Sequence, residues 1–243
     1  KPKLISQYEY ADTKPTLVEG IARRGIAPER IALVPNGCDL QQFGLGITPW
    51  RPLDVRQNQL LAVFTGTHGV ANGLDAIIDA AAELNKRNCT EICLLLVGDG
   101  KLKPHLQKRV NKEGLEHIVR FMDPVPKTQL AGLLVGADVG LQVLANVRAF
   151  YYGTSPNKFF DYLASGLPVL INYPGWLADL ITENNCGYVV PPDNPIAFAD
   201  MLEAAYRNLE NRKHLGANAR LLAEMCFNRD ELGVKFVRWI EAV

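Results

Sequence analysis

The sequence lacks an excess of charge of either sign, and it lacks any long apolar run. Lys and Arg total 26 and Asp and Glu total 26, so the formal net charge at pH 7 is zero. Balanced charge argues against a nucleic-acid partner held by non-specific electrostatics, and only a local basic cleft stays open as an alternative. The longest apolar run, around Ile92–Gly98, has the length of a strand, whereas a membrane-spanning helix needs about 20 apolar residues. We therefore expect neither a nucleic-acid partner nor a membrane-spanning segment.

Histidine and cysteine are scarce, which bears on metal sites and disulfides. The chain has 4 His and 5 Cys. Cys89 and Cys93 are the closest pair of cysteines, and nothing near them supplies further ligands at the spacing of a zinc site. The scattered, odd set of cysteines favours reduced and mostly buried thiols in a cytosolic protein. We predict no metal and no cofactor.

What the sequence does contain is a regular alternation of apolar runs and helical periodicity from Gln59 onward. Short, continuous apolar runs are typical of parallel strands that are buried on both faces. The predicted strands are Leu60–Thr65, Ile92–Val97, His117–Phe121, Ala137–Leu144, Pro168–Asn172 and Gly187–Val190. Such alternation predicts an α/β fold, a Rossmann-like doubly wound parallel sheet of about six strands with helices on both faces.

The first part of the chain follows a different pattern. Lys3–Ser6 and Ile31–Pro35 resemble two strands that flank a helix around Thr16–Arg24. Two strands do not make a stable sheet alone, so residues 1–45 are predicted to be a remnant of a preceding domain. Residues 46–58 are predicted to be a linker, and residues 59–243 a single ligand-binding domain. An exposed strand at Ile31–Pro35 would invite pairing between chains, and we therefore expect self-association.

Four loops follow predicted strands at the edge where open parallel sheets bind ligands. The first is Gly66–Gly69, whose glycines let backbone amides approach a phosphate, although a plain turn is an equally good interpretation. The others are Gly98–Gly100, which could be an ordinary turn, and Asp123–Lys127, in which two prolines hold an extended backbone. The fourth, Gly153–Lys158, opens a predicted helix over Ser155–Ser165, with Ser155 as N-cap and Pro156 at the first helical position. Lys158 and Asp161 share a helical face, and a surface ion pair between them is the alternative to a binding role.

Three ordered motifs resemble group 1 (family 4) glycosyltransferases. Val34–Asp39, with Phe43 after it, resembles the segment (I/V)PNG-x-D-x-x-x-F between the two domains of those enzymes. Leu95–Gly100 is similar to their VGDG loop, and Ser155–Val169 is similar to their PSK-x-F-E-Y-M-A-x-G-x-P-V helix and strand. The resemblance implies one half of a GT-B fold, with the carboxy-terminal domain binding a nucleotide-sugar donor and the missing amino-terminal domain binding the acceptor. Because the chain starts at Lys1 without an initiator Met, we expect it to be a piece of a longer protein.

The resemblance also implies roles for individual residues. Asp161 falls on the second of two family acids and would hold the ribose, whereas the first acid falls on Gly153 and is missing. The family's Arg and Lys on the diphosphate fall on Thr67 and Asn72, neither of which is charged. Lys158 is therefore the main predicted cation on the diphosphate, with His68 and Arg148 as weaker candidates. Lys158 and His68 are also the predicted catalytic residues. The predicted donor-binding residues are Gly66, Thr67, Gly69, Gly98, Val125, Lys127, Thr154, Ser155, Pro156, Asn157 and Asp161.

The implied activity is retaining transfer of a sugar from a UDP-sugar. The sequence around Gly66–Leu74 resembles that of a bacterial branch of the family that transfers N-acetylated amino sugars, including N-acetylfucosamine-type sugars, in surface-polysaccharide assembly. We therefore expect a lipid-linked or polysaccharide acceptor, a cytoplasmic location, and peripheral association of the full-length enzyme with the cytoplasmic face of the inner membrane. The alternatives are a nucleotide-sugar 2-epimerase-like enzyme and a non-catalytic nucleotide-sugar-binding module, and the 243 residues alone are expected to bind donor without turnover.

Overall fold

The computed structural model describes residues 17–27, 30–44 and 46–242. The predicted strand at Lys3–Ser6 lies outside the described residues. The first helix, α1, spans Leu17–Ala22, within the range predicted for it. No helix of the described part is long and apolar enough to cross a membrane.

Six parallel strands form one sheet in the order β3-β2-β1-β4-β5-β6. The strands are β1 (Leu60–Thr65), β2 (Ile92–Val97), β3 (Val119–Met122), β4 (Val139–Gln142), β5 (Val169–Ile171) and β6 (Gly187–Val189). β1 and β2 are paired over their whole length, from Leu60 opposite Ile92 to Thr65 opposite Val97. The predicted doubly wound α/β sheet is confirmed, and each strand after β2 is shorter than the run predicted for it.

Helices cover both faces of this sheet. They are α2 (Asp75–Lys86), α3 (Lys103–Glu113), α4 (Lys127–Gly136), α5 (Phe150–Gly153), α6 (Asn157–Ala164), α7 (Trp176–Glu183), α8 (Pro195–Arg207), α9 (Leu209–Cys226) and α10 (Arg229–Ala242). Alternate residues of β1 point into two separate clusters: Leu61 and Val63 pack with α6 and α7, and Ala62 and Phe64 pack with α2. Since both faces are buried, nearly every residue of a central strand must be apolar, which explains the continuous runs.

The strand predicted at Ile31–Pro35 is wrong. These residues have no strand conformation, and the one ladder contact nearby is an isolated parallel bridge between Cys38 and Asn228. Cys38 accepts a hydrogen bond from the Arg229 N–H (3.0 Å) and donates its own N–H to Phe227 O (2.8 Å). Cys38, just after the segment, is therefore fastened to the junction of α9 and α10. Leu33 and Val34 within the segment are exposed, and self-association stays a prediction.

Residues 46–58 lie against the domain that follows them. Trp50 donates its indole N–H to Gln129 O on α4 (2.7 Å), and its backbone N–H bonds to Gly132 O (3.1 Å). Arg51 bonds to Asp138 at 2.7 Å, and the Asp138 carboxylate also accepts the Leu61 N–H at the start of β1. The division of the chain at residues 45 and 58 stays a prediction, but the predicted linker packs as part of the fold.

Candidate functional site

The strand order places a crevice between the carboxyl ends of β1 and β4. Connections from β1 run toward β2 and β3, whereas connections from β4 run toward β5 and β6. Open α/β sheets bind ligands at such a change of direction. The loop after β1 and the start of α6 meet there, through Gly66 and Lys158.

A buried tyrosine fixes α6 on the end of β1. The Tyr162 hydroxyl accepts the Thr65 N–H (2.9 Å) and lies 3.1 Å from the Thr65 hydroxyl. The ring of Tyr162 covers Gly140 on β4, where an added Cβ would lie 2.6 Å from ring carbons. Burial raises the pKa of Tyr162 well above its usual value, so its hydroxyl stays protonated. These contacts fix the position of α6 beside the carboxyl end of β1.

The start of α6 differs from the prediction. The helix begins at Asn157, Pro156 occupies the N-cap position in an extended conformation, and no side chain caps the helix. Ser155 is therefore not the N-cap, because the chain is still extended there. Its hydroxyl is buried and makes no hydrogen bond within the described residues. Pro156 has no N–H of its own, so the free amides at this end begin with Asn157.

Lys158 reaches from α6 back to the loop after β1. Its Nζ lies 3.7 Å from the centroid of the Phe64 ring and 3.2 Å from Asn72 Oδ1. A Cβ on Gly66, whose φ is +134°, would lie 3.4 Å from the same Nζ. Burial lowers the pKa of Lys158 to about 7. The ammonium is held by an aromatic face and a neutral amide, and no carboxylate pairs with it among the described residues.

This contact brings a cation to the position where the resemblance implied one and the β1 loop has none. Asn72 ends a 3-10 turn over Val70–Asn72, and its amide donates to Thr67 O at 2.7 Å. Its Oδ1 then accepts from Lys158. Thr67 itself is exposed and uncharged. A lysine on the neighbouring helix thus supplies the charge that neither loop residue carries.

Asp161 makes no ion pair with Lys158 among the described residues, although only three residues separate them. Its charged neighbours are Lys127 at the start of α4, Arg229 at the start of α10, and Asp39. Burial raises its pKa to about 6, and Lys127 and Arg229 oppose that rise. The surface ion pair between Lys158 and Asp161 is therefore wrong, and Lys158 contacts Asn72 instead. Lys127 interacts with Asp161 electrostatically, without a direct ion pair among the described residues.

His68 is buried instead of lining the crevice. Its exposed fraction is zero, and its ring lies 6.1 Å from both the Phe64 and the Phe121 ring centroids. Neither ring nitrogen has a hydrogen-bond partner among the described residues. Burial, with a further contribution from the Lys103 charge, lowers its pKa to about 4. A neutral imidazole adds no positive charge to a phosphate site, which corrects the role of a second cation predicted for His68.

The glycines after β2 are needed because two loops touch. His68 donates its N–H to Asp99 O (2.8 Å), and its carbonyl accepts the Leu102 N–H (2.9 Å). A Cβ on Gly100 would lie 2.7 Å from the His68 carbonyl oxygen, and one on Gly98 would overlap Gly66 O. Gly98 is thus buried under the β1 loop. Gly69, the residue before the 3-10 turn, is partly exposed.

The segment before α6 is tied from two sides. Trp176 donates its indole N–H to Thr154 O (2.7 Å), and the Thr154 hydroxyl donates to Phe150 O (2.8 Å). From the opposite side, Asn36 donates its amide to Ser155 O at 2.5 Å. Gly153 is exposed, and a Cβ there would meet nothing within 4 Å. This loop is held chiefly by bonds to its backbone.

Three further predicted residues lie apart from the ammonium of Lys158. Val125 is partly buried in the exit loop of β3, and Lys127 is exposed at the first position of α4. Arg148 is exposed in the turn between β4 and α5. Among the described residues, no group of three or more His, Cys, Asp or Glu could hold a metal ion.

Sequence reasoning missed the partners of these residues. Asn36 and Gly37 appeared in the Pro-Asn-Gly motif, but nothing in the sequence showed that Asn36 reaches Ser155 119 positions away. A Cβ on Gly37 would lie 2.7 Å from Phe227 O and 2.8 Å from a Leu232 methyl, so the motif needs glycine for close packing. Phe64 gave only the signal of a buried strand residue.

Comparison with known proteins identifies the family of the chain. The family model described as "Glycosyl transferases group 1" matches residues 59–208. D-inositol 3-phosphate glycosyltransferase of Jonesia denitrificans is 27% identical over 220 residues, covering 81% of this chain and 48% of that protein. A second such enzyme, from Catenulispora acidiphila, is 28% identical over 218 residues, covering 81% of this chain and 48% of that protein. The chain spans about half the length of the curated relatives it matches.

Solved structures show the same fold at low identity. The structure of Anabaena HepE in complex with UDP-glucose has a TM-score of 0.74 at 16% identity, covering 93% of this chain and 61% of that one. The C-terminal domain of a group 1 glycosyl transferase (LpcC) from Francisella tularensis has a TM-score of 0.62 at 18% identity, covering 79% of this chain and 100% of that one. The sheet and its helices are the Rossmann-like half of a GT-B fold. The family match over residues 59–208 shows that this chain belongs to the glycosyl transferases group 1.

Proposed function

We propose that this chain is the carboxy-terminal, donor-binding part of a retaining glycosyltransferase that uses a UDP-sugar. The observation that carries the proposal is the Lys158 ammonium, which α6 holds beside Gly66 and Asn72 at the crevice between β1 and β4. The relatives are glycosyltransferases, one neighbour is described in complex with UDP-glucose, and another is a C-terminal domain of this family. These likenesses support the assignment of donor rather than acceptor binding.

In this proposal the diphosphate lies at the start of α6. The amides of Asn157 and Lys158 and the Lys158 ammonium would stabilise the charge that develops on the leaving phosphate as the bond from the anomeric carbon breaks. The acceptor hydroxyl attacks the same face of the sugar, forms the new bond to the anomeric carbon, and gives its proton to the departing phosphate oxygen. Retention of configuration follows from that same-face attack.

The other end of the donor would lie toward α4. Asp161 is ionised at pH 7 because its pKa is about 6, so its carboxylate can accept hydrogen bonds from the ribose hydroxyls. Val125 and Lys127 would then contact the base. With Gly153 uncharged, the backbone of Thr154–Asn157 would contact the sugar. We further propose an N-acetylated amino sugar as the donor sugar and a lipid-linked or polysaccharide acceptor for the full-length enzyme.

Titration calorimetry on the chain tests the proposal directly. UDP and UDP-N-acetylhexosamines should bind at micromolar to millimolar concentration, with UDP-glucose as the competing hexose donor, and EDTA should leave binding unchanged. Absence of UDP binding at millimolar nucleotide would contradict the proposal. Sugar transfer is then assayed with the full-length enzyme and a lipid-linked acceptor. Binding without transfer would favour the non-catalytic binding module.

A further inference from the structure

A buried lysine joins the loops that leave β2 and β3. Lys103 is the first residue of α3, and only 8% of its surface is exposed. Its Nζ donates to Gly98 O in the β2 exit loop (3.0 Å) and to Asp123 Oδ1 in the β3 exit loop (2.6 Å). The two acceptors belong to different loops, so this one ammonium connects them.

The lysine side chain and the aspartate side chain have very different exposure. The Lys103 side chain is 10% exposed, whereas the Asp123 side chain is 91% exposed. Ion pairs at exposed sites contribute little to stability, and Asp123 could satisfy its charge in water. The bond to the Asp123 carboxylate therefore serves to hold the position of its loop more than to stabilise the fold. The lysine, in contrast, loses hydration on burial and depends on both acceptors.

The loop after Asp123 has few other means of attachment. Pro124 and Pro126 carry no N–H, so neither can be fastened by donating a backbone hydrogen bond. The preceding strand is attached by the Gly98 N–H to Met122 O (2.9 Å), and the next attachment is the Leu130 N–H to Pro126 O at the start of α4 (2.9 Å). Between these points lies Val125, which is partly buried.

The lysine end of this contact is fixed to the crevice. The residue before it, Leu102, donates its N–H to His68 O in the β1 exit loop at 2.9 Å. The β1 loop also carries Gly66 and Asn72, which surround the Lys158 ammonium. Lys103 therefore relates the position of the β3 loop to the proposed diphosphate site.

We propose that Lys103 is a positioning residue for the nucleotide base, because it holds Asp123 and with it the loop that carries Val125 and Lys127. This inference rests on the proposed function, in which that loop contacts the uracil. Recognition of a base by a loop requires its backbone to be held within about 0.5 Å. Loss of the ammonium releases the Asp123 carboxylate from Gly98 O, and the contacts of Lys158 with Phe64 and Asn72 do not involve Lys103.

The test compares UDP with inorganic pyrophosphate, which has no base. Lys103→Met keeps an apolar side chain in the buried space and should weaken UDP binding about tenfold while leaving pyrophosphate binding unchanged. Lys101→Met, at an exposed position two residues earlier, is the matched control and should change neither affinity. Calorimetry measures both ligands, and the melting temperature checks that the variants fold.

A second variant keeps the test decisive if Lys103→Met fails to fold. Asp123→Asn alters an exposed side chain and should weaken UDP in the same direction, by a smaller factor, with pyrophosphate unchanged. Equal losses for UDP and pyrophosphate, or an unchanged affinity for UDP, would overturn the positioning role. Failure of the unaltered chain to bind UDP would instead overturn the proposed function, so the two failures are distinguishable.

Discussion

Lys158 and Asp161 stand on the same short helix, and burial favours the neutral form of each side chain. The pKa of Lys158 falls to about 7, and the pKa of Asp161 rises to about 6. Lys158 contacts Phe64 and Asn72 at β1, whereas the charges that act on Asp161 are those of Lys127, Arg229 and Asp39. One turn of α6 therefore carries a cation, Lys158, and a carboxylate, Asp161, that can accept hydrogen bonds from hydroxyl groups. A nucleoside diphosphate presents those same two chemistries at its two ends.

The largest effect should come from removing the cation. Lys158→Met should weaken UDP binding about 30-fold, because a charge-assisted hydrogen bond to phosphate contributes about 1.5–3 kcal/mol. Pyrophosphate should lose affinity by a similar factor, and uridine should lose none. Calorimetry with the three ligands checks this, with the exposed Lys101→Met as control. An undiminished affinity for pyrophosphate would show that the diphosphate does not bind at Lys158.

The same comparison predicts a narrow pH optimum for donor binding. A UDP-sugar is the suitable ligand, because its doubly esterified diphosphate lacks the phosphate ionisation near pH 6 that UDP has. Affinity should fall above pH 7 as Lys158 loses its proton, and below pH 6 as Asp161 gains one. Each pH unit beyond the relevant pKa lowers affinity by up to about tenfold.

Variants assign the two limbs of this profile. Lys158→Met should abolish the alkaline fall and leave the acid fall in place, and Asp161→Ala should do the reverse. Calorimetry between pH 5 and pH 9 measures both. A profile that is flat across this range in the unaltered chain would show that neither group controls binding.

The sequence predicts those features of the fold and site that depend on residues close together in the chain. The strand runs and the order of the loops could be predicted, because buried parallel strands and helix starts have local signals. The partner of Lys158 could not, because its distance to Asn72 depends on how α6 packs on β1 through Tyr162 and Gly140. The spacing of Lys158 and Asp161 suggested an ion pair, but Lys158 contacts Asn72 and the Phe64 ring instead.

His68 and Lys103 also show that the burial of a side chain could not be predicted from the local sequence. A histidine in a glycine-rich loop looks like a phosphate ligand, yet its ring turns inward between Phe64 and Phe121. Lys103 looks like a surface residue on a basic helix, yet it is almost fully buried between two loops. Side-chain direction at the first residues of a loop or helix depends on the neighbouring loops, which are distant in sequence.

The smallest of the three effects should come from the ribose side of the helix. Asp161→Ala should weaken UDP about tenfold, because it removes a charged acceptor for hydroxyl groups, and it should leave pyrophosphate unchanged. The two variants on α6 then give opposite patterns: Lys158→Met affects every ligand with a diphosphate, and Asp161→Ala affects every ligand with a ribose. Uridine, bound weakly, should respond to Asp161→Ala alone.

Competition measurements make this last contrast independent of weak absolute affinities. Pyrophosphate and uridine are each used to displace UDP from the unaltered chain and from both variants, and the ratio of their inhibition constants is compared. Asp161→Ala should raise the inhibition constant of uridine relative to pyrophosphate, and Lys158→Met should lower it. If Asp161→Ala weakened pyrophosphate as much as UDP, its carboxylate would be supporting the helix as a whole, and the division of α6 into a phosphate side and a ribose side would fail.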